Sequence, residues 1–285
     1  MTTFSVACVQ NSAIDDVAHN LADLSALIHE AVNAGAKFVC LPEYCTCLEP
    51  ADSGYIERGF DEPTHPALPY FAELCRSLNI WLLIGSLAIK IGAEKVNNRS
   101  YLLDPAGNVR QTYNKIHLFD VALKRGEAYE ESRTVAPGTA AKVAELPWGR
   151  LGMTVCYDLR FPQLYRTLAH AGADFISIPA AFTATTGQAH WHVLVRARAI
   201  ETGCYVFAPD QCGRRPWGRK TYGHSLIVDP WGEVIADAGS ERGFIIAEVD
   251  PEKVSEARGM IAALTHDRRI TAPEIQPHPT AVPER

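Results

Sequence analysis

Short continuous apolar runs alternate along this chain with segments in which apolar positions recur every three or four residues, the pattern of strands interleaved with helices. Residues 4–9 predict a first strand. Ile14, Val17, Leu21, Leu24, Ile28 and Ala31 then recur at helical spacing, with Asn11 or Ser12 as the cap and Gly35 as the stop. Residues 37–41 form a second apolar run, uniform enough for burial on both faces, that halts at Pro42-Glu43. A helix over 66–78 and a long strand over 80–89 follow. Strands over 100–103 and 109–113 flank Asp104-Pro-Ala-Gly-Asn108, whose Pro and Gly suit a tight turn. Residues 119–137 have no clean period and many charges, which predicts an irregular surface excursion. Residues 142–155 make a hairpin turning at Pro147-Trp-Gly149. A helix over 162–170, a strand over 175–178, a helix over 190–202, a strand over 204–208, a hairpin at Asp229-Pro-Trp-Gly232 and a last strand over 244–249 complete the pattern.

Two segments echo others half a chain away. Ala34-Gly-Ala-Lys-Phe-Val-Cys-Leu-Pro42 resembles Ala171-Gly-Ala-Asp-Phe-Ile-Ser-Ile-Pro179, and Ser100-Tyr-Leu-Leu-Asp-Pro-Ala-Gly-Asn-Val109 resembles Ser225-Leu-Ile-Val-Asp-Pro-Trp-Gly-Glu-Val234. Two echoes in the same order predict a duplicated unit: an α/β fold in which two mixed sheets pack together with helices outside, a four-layer α-β-β-α sandwich. Where the first echo ends in Glu43 the second ends in Ala180, so the repeated scaffold does not itself require that carboxylate.

Composition narrows the field. The chain has 285 residues, of which 47% are hydrophobic and 21% charged, ordinary for a globular protein. A formal net charge of −6 argues against a nucleic-acid partner. The longest apolar stretch, 80–89, is broken by Gly85-Ser86 and is too short to span a membrane. Residues 1–9 lack a secretory signature, so the expected location is the cytoplasm, with eight cysteines kept as thiols. Cys40, Cys45 and Cys47 lack zinc-site spacing, and His190 and His192 lie two apart, on different faces of a helix. Neither group predicts a metal. Residues 271–285 hold four prolines and read as a tail after a folded domain over 1–270.

Candidate chemistry lies at strand ends, where open α/β sheets build their sites. Cys156 ends an apolar run and precedes a turn into a helix, a setting that lowers a thiol pKa; a buried structural thiol is the commoner fate. Glu43 follows Pro42 and an apolar run, which should desolvate it and raise its pKa so that it accepts a proton from a thiol. Lys115 sits between Tyr113-Asn114 and Ile116-His-Leu-Phe119. Arg214, Arg215, Arg219 and Lys220 could attract a carboxylate, although arginine-rich loops are more often solvated, and Arg198 with Glu201 has the i,i+3 spacing of a structural ion pair.

Taken together, Leu41-Pro-Glu43, Asn114-Lys115-Ile-His-Leu-Phe-Asp120 and Val155-Cys156-Tyr-Asp-Leu-Arg-Phe-Pro162 resemble the nitrilase superfamily of carbon–nitrogen hydrolases across almost the whole chain. The resemblance implies the four-layer sandwich and a Glu43–Lys115–Cys156 triad. It implies a further glutamate at Glu131, with Glu127 and Glu130 adjacent, and an oxyanion contact from the Tyr157 backbone N–H. It implies no metal or organic cofactor, a small-molecule amide substrate, and a homodimer or larger homo-oligomer packed through the helix at 190–202. Phe182, Trp191 and Arg160 are the expected substrate contacts. Thr186-Gly-Gln-Ala-His-Trp191 and Tyr222-Gly-His224 look most like the branch acting on deaminated glutathione and ω-amides, with carbamoyl compounds or nitriles as alternatives. Ala208-Pro-Asp-Gln211 departs from that branch, which usually has small residues before the glutamine.

Overall fold

A computed structural model describes residues 2–51, 53–123 and 127–274. The first half runs β1 (Phe4–Gln10), α1 (Val17–Asn33), β2 (Phe38–Cys40), α2 (Gly54–Glu57), β3 (Phe60–Asp61), α3 (Ala67–Leu78), β4 (Trp81–Lys90), β5 (Val96–Leu103) and β6 (Val109–Asn114). A small two-stranded ribbon, β7 (Asp120–Ala122) with β8 (Ala128–Glu130), leads into the second half. That half runs β9 (Lys142–Leu146), β10 (Gly149–Met153), α4 (Pro162–His170), β11 (Phe175–Ser177), α5 (Ala184–Thr202), β12 (Tyr205–Ala208), β13 (Leu226–Val228), β14 (Val234–Asp237), β15 (Gly243–Val249) and α6 (Glu252–Met260).

The strands make two large sheets, ordered β15-β1-β2-β4-β5-β6 (with β3 on β4) and β14-β13-β12-β11-β10-β9. Each has the same internal logic. β1, β2 and β4 are mutually parallel, as are β10, β11 and β12. An antiparallel strand flanks each trio on one side and an antiparallel hairpin on the other. The sequence echoes fall on equivalent elements, β2 with β11 and the β5–β6 hairpin with β13–β14. The expected mixed-sheet α/β architecture is the observed one.

Strand periodicity explains the layers. In the first sheet Val6, Cys8, Phe38, Cys40, Leu83 and Leu102 join a core shared with Leu151, Met153, Phe175 and Val206 of the second. Their neighbours Ala7, Val9, Val39, Leu41, Leu82 and Leu103 point the other way, against Leu24 and Ile28 of α1 and Phe71 of α3. On the far side of the second sheet, Leu164 and Leu168 of α4 and Trp191, Val195 and Ala199 of α5 close the shared core. Among the described residues no helix is long and apolar enough to cross a membrane.

Three expectations need correction. α1 starts at Val17 and is capped not by Asn11 or Ser12 but by Asp16, whose Oδ1 accepts from the His19 N–H at 3.0 Å. The excursion over 119–137 contains the β7–β8 ribbon and a 3-10 turn at Glu131–Arg133, too short to show a period in sequence. α5 starts at Ala184 rather than 190, because the Thr183 hydroxyl accepts a hydrogen bond from the Thr186 N–H and caps it. Gly187 in its first turns is there for contact: a Cβ would lie 2.3 Å from the Tyr222 ring. Residues 275–285, most of the expected proline-rich tail, lie outside the described residues.

Candidate active site

Glu43, Lys115, Glu131 and Cys156 line one cavity between the strand ends of the two sheets. Glu43 follows β2, and its position is fixed through the main chain: Gln211 Nε2 donates to the Glu43 carbonyl at 2.8 Å, and the next N–H, of Tyr44, donates to Ser86 Oγ at 2.9 Å. Lys115 follows β6; its N–H donates to the Asn98 carbonyl (2.9 Å) and its carbonyl accepts from Gly138 (2.7 Å). Cys156 follows β10 with φ +49°, a left-handed backbone rare outside glycine, and its N–H donates to the Pro179 carbonyl at 2.8 Å. Such strain persists only where surrounding contacts over-determine it. Those contacts converge on Asp158.

Asp158, fully buried, accepts from the Val155 N–H (2.9 Å) and the Tyr113 hydroxyl (2.6 Å) through Oδ2, and from the His117 N–H (3.0 Å) and ring Nδ1 (2.7 Å) through Oδ1. One carboxylate thus ties the turn bearing Cys156 to the segment bearing Lys115. Asn98 does comparable work opposite, its Nδ2 donating to Glu43 Oε1 at 2.8 Å and reaching Glu131 Oε1 at 3.3 Å. Asp158 lies inside a motif already singled out, yet only the fold shows its four partners. Asn98 carries no sequence signal at all.

The electrostatics centre on Lys115. Its ammonium, 2% exposed, donates to Glu43 Oε1 at 2.9 Å and to both Glu131 oxygens at 3.0 and 2.9 Å. Burial disfavours the charge, but the two glutamates outweigh it and push the lysine pKa well up. Glu43 behaves differently from the sequence expectation. Burial does raise its pKa, but Lys115 and hydrogen bonds from Cys156 and Asn98 bring it below the ordinary carboxylate value. Glu131 is the carboxyl left raised, by burial and by the neighbouring Glu43 charge. The geometry selects Glu131 over its neighbours: Glu127 accepts from Tyr129 and Thr185, and Glu130 pairs with Arg133.

The thiol also departs from expectation. Burial and the Glu43 charge hold the Cys156 pKa well above the ordinary thiol value, against the opposing pull of Lys115. Residues Cys156–Arg160 form a 3-10 turn and the α-helix begins only at Pro162, so no α-helix N-terminus abuts the sulfur. The resting pair is a protonated thiol facing an ionised glutamate.

Tyr44, Tyr55, Phe119, Tyr129, Tyr157 and Phe182 make up much of the remaining wall, together with Val135, Ala181, Thr183 and Thr186, and Arg219 is the one arginine among the lining residues. Phe182 lines the cavity as expected. Trp191 does not: it is fully buried behind Phe182 (ring centroids 5.0 Å), and its Nε1 donates to the His224 carbonyl. Arg160 also stands outside the lining, its guanidinium over the Tyr157 and Phe182 rings at 5.8 and 5.4 Å. Trp191 supports the wall from within the core, and Arg160 packs on two of its rings. Of the basic loop, Arg214 and Lys220 are exposed. Arg215 is buried, donating to the Ala13, Cys212 and Gly213 carbonyls, and Arg219 leans over Tyr129. Arg198 pairs with Glu201 at 2.7 Å and also donates to the Leu159 carbonyl, a structural role as its spacing predicts. Asp210, in the segment departing from the branch pattern, is buried behind the wall and accepts from the Phe182 N–H at 2.8 Å.

The fold thus gathers a buried thiol, carboxylates and a lysine into one cavity on a duplicated mixed-sheet scaffold. Residues 5–259 match the family model described as carbon-nitrogen hydrolase, and the chain belongs to that family. It is an amidase-type enzyme by that membership and by its relatives. It is 37% identical to a deaminated glutathione amidase of Synechocystis sp. over 93% of this chain and 98% of that protein. It is 32% identical to human omega-amidase NIT2 over 94% of this chain and 96% of that protein. The crystal structure of the Caenorhabditis elegans NitFhit protein superposes with a TM-score of 0.87 at 35% identity, covering 93% of this chain and 65% of that longer one.

Proposed function

We propose that the protein hydrolyses the amide of a small carboxylated compound, of the ω-amide or deaminated glutathione type, through a thioester on Cys156. Glu43, ionised at rest, takes the thiol proton as the sulfur attacks the carbonyl carbon. The oxyanion forms between the Lys115 ammonium and the Tyr157 backbone N–H, a preorganised donor being worth roughly 3–4 kcal/mol. Glu43 then gives its proton to the departing amine or ammonia, and later takes one from the water that cleaves the thioester. Glu131 keeps Lys115 charged and aimed. The observation that carries this reading is the Lys115 ammonium bridging Glu43 and Glu131 in the cavity that Cys156 also lines.

The names of the relatives support the substrate class, and so does Arg219, a guanidinium among the aromatic residues that line much of the cavity. It would hold the substrate's free carboxylate. The eight free thiols suit a reducing cytoplasm, and the apolar residues exposed on α5 suit a homodimer or larger homo-oligomer. The test is ammonia release over a panel of ω-amides with and without the distal carboxylate, carbamoyl amino acids and nitriles. Turnover confined to carboxylated amides, with Arg219→Ala raising KM for these alone, is expected; preference for carbamoyl compounds or nitriles rejects the substrate assignment.

A further inference from the structure

Away from the cavity, three side chains with metal-ligand chemistry meet from three separate elements. His192 lies on α5, His224 precedes β13, and Asp237 ends β14. Asp237 Oδ2 is 3.0 Å from His192 Nε2, and Asp237 Oδ1 is 3.0 Å from His224 Nδ1. One ligand atom from each residue lies within 4.8 Å of the others, the single such group of three among the described residues. Neighbouring donors around a tetrahedral or octahedral ion with bonds of about 2.0–2.2 Å stand about 3–3.5 Å apart, so the two carboxylate–imidazole spacings already match. The three side chains are 28–34% exposed, which leaves an ion a path in. The sequence disfavoured a metal at His190 and His192 because they diverge on a helix; the fold gives His192 a different histidine as neighbour.

Two of the three donors are held in place by contacts outside the group. His224 has a left-handed backbone (φ +54°), donates its N–H to the Gly239 carbonyl at 2.6 Å, and accepts from Trp191 Nε1 at 2.7 Å. The Tyr222 ring stacks on its imidazole at 4.6 Å. Asp237 Oδ1 accepts from the Gly239 N–H at 2.8 Å. Little further ordering is needed on binding, which favours affinity.

We propose that His192, His224 and Asp237 form a binding site for a divalent transition-metal ion of the zinc type, which clamps α5 to the β13–β14 hairpin. Two imidazoles and one carboxylate suit zinc, nickel or copper, whereas magnesium and calcium prefer all-oxygen shells. The site takes no part in amide cleavage. It is linked to the cavity wall through Tyr222, whose N–H donates to the Phe182 carbonyl at 2.9 Å, so an ion here stiffens the wall without touching substrate.

The test uses full-length protein stripped with EDTA, in a Cys156→Ala background so that the active-site thiol is not the ligand. Zinc alone is titrated calorimetrically and by thermal melts into that protein, into Asp237→Asn, and into His192→Ala/His224→Ala. One equivalent is expected to bind, weakened at least about tenfold in both variants. At zinc about a hundredfold above the dissociation constant, Tm should rise by roughly 5–10 °C in the parent and far less in the variants, with no response to magnesium. Asp237→Asn keeps the side-chain shape, so it carries the comparison if the double variant fails to fold. Absence of zinc binding, or equal affinity and equal Tm shifts in all three proteins, overturns the proposal.

Discussion

Lys115 illustrates how far a residue's chemistry depends on what surrounds it. In sequence it is a lysine after a strand; in the fold it is a buried ammonium shared by two carboxylates. Replacing it with Met leaves Glu43 and Glu131 facing each other without a cation. The loss of one partner from a buried ion pair is expected to cost about 3–5 kcal/mol, read by urea unfolding, as well as activity. Cys156→Ala should abolish turnover while the unfolding midpoint stays within the usual surface-mutation range; undiminished amide hydrolysis by this variant would reject the nucleophile. The pKa directions set the pH profile. With Glu43 as the proposed proton acceptor and its pKa lowered, kcat/KM should fall only on acidification below the ordinary carboxylate value of about 4.3. The Cys156 pKa is raised, so no inflection should appear near the ordinary thiol value of about 8.5. A rise in kcat/KM centred there would mean that a pre-formed thiolate is the nucleophile. That Glu43, Lys115 and Cys156 would meet in one cavity was legible, because each sits in a motif at a strand end. The signs of their shifts were not, because each depends on charges contributed by other segments that folding brings alongside.

At the scale of elements, the close packing of strand ends is what brings Glu43 into register. β4 passes beneath Pro42-Glu43 at Gly85, where the pairing with β5 shifts between Ile84 and Leu87. A Cβ on Gly85 would lie 1.9 Å from the Leu41 carbonyl oxygen, 2.4 Å from that of Pro42 and 2.6 Å from Pro179 Cβ. Backbone cannot step aside as a flexible side chain can. Gly85→Ala is therefore expected to destabilise by about 3 kcal/mol, the upper end for overpacking, and to lower kcat more than its stability loss explains by displacing Glu43; urea unfolding and steady-state kinetics check both. Gly85 read in sequence only as an interruption of an apolar run. The strands and hairpins themselves were legible, since alternation and turn residues report them directly. The start of α5 and the β7–β8 ribbon were not, because a cap and a three-residue strand leave little periodic signal.

At the scale of the whole molecule, α5 is apolar on two sides. Trp191, Val195 and Ala199 enter the shared core, while Val193 and Ile200 remain 68% and 54% exposed. Ile200 abuts the Gly232 turn, beside exposed Trp231. Light scattering should give a solution mass of at least twice the chain's 31.3 kDa, and Val193→Asp/Ile200→Asp should shift it to that of one chain. A monomeric parent protein would remove the reason for that apolar face. The amino-acid sequence by itself determined most of the elements, their duplication and the candidate residues that meet in the cavity, because periodicity, turn grammar and motif spacing are local properties of a chain. Only the tertiary structure decided which carboxyl pKa is lowered and which raised, that Trp191 and Arg160 are outside the cavity lining while Arg219 is in it, and that His192 meets His224 and Asp237. Burial and charge proximity are properties of surroundings, and those are set when distant segments pack together.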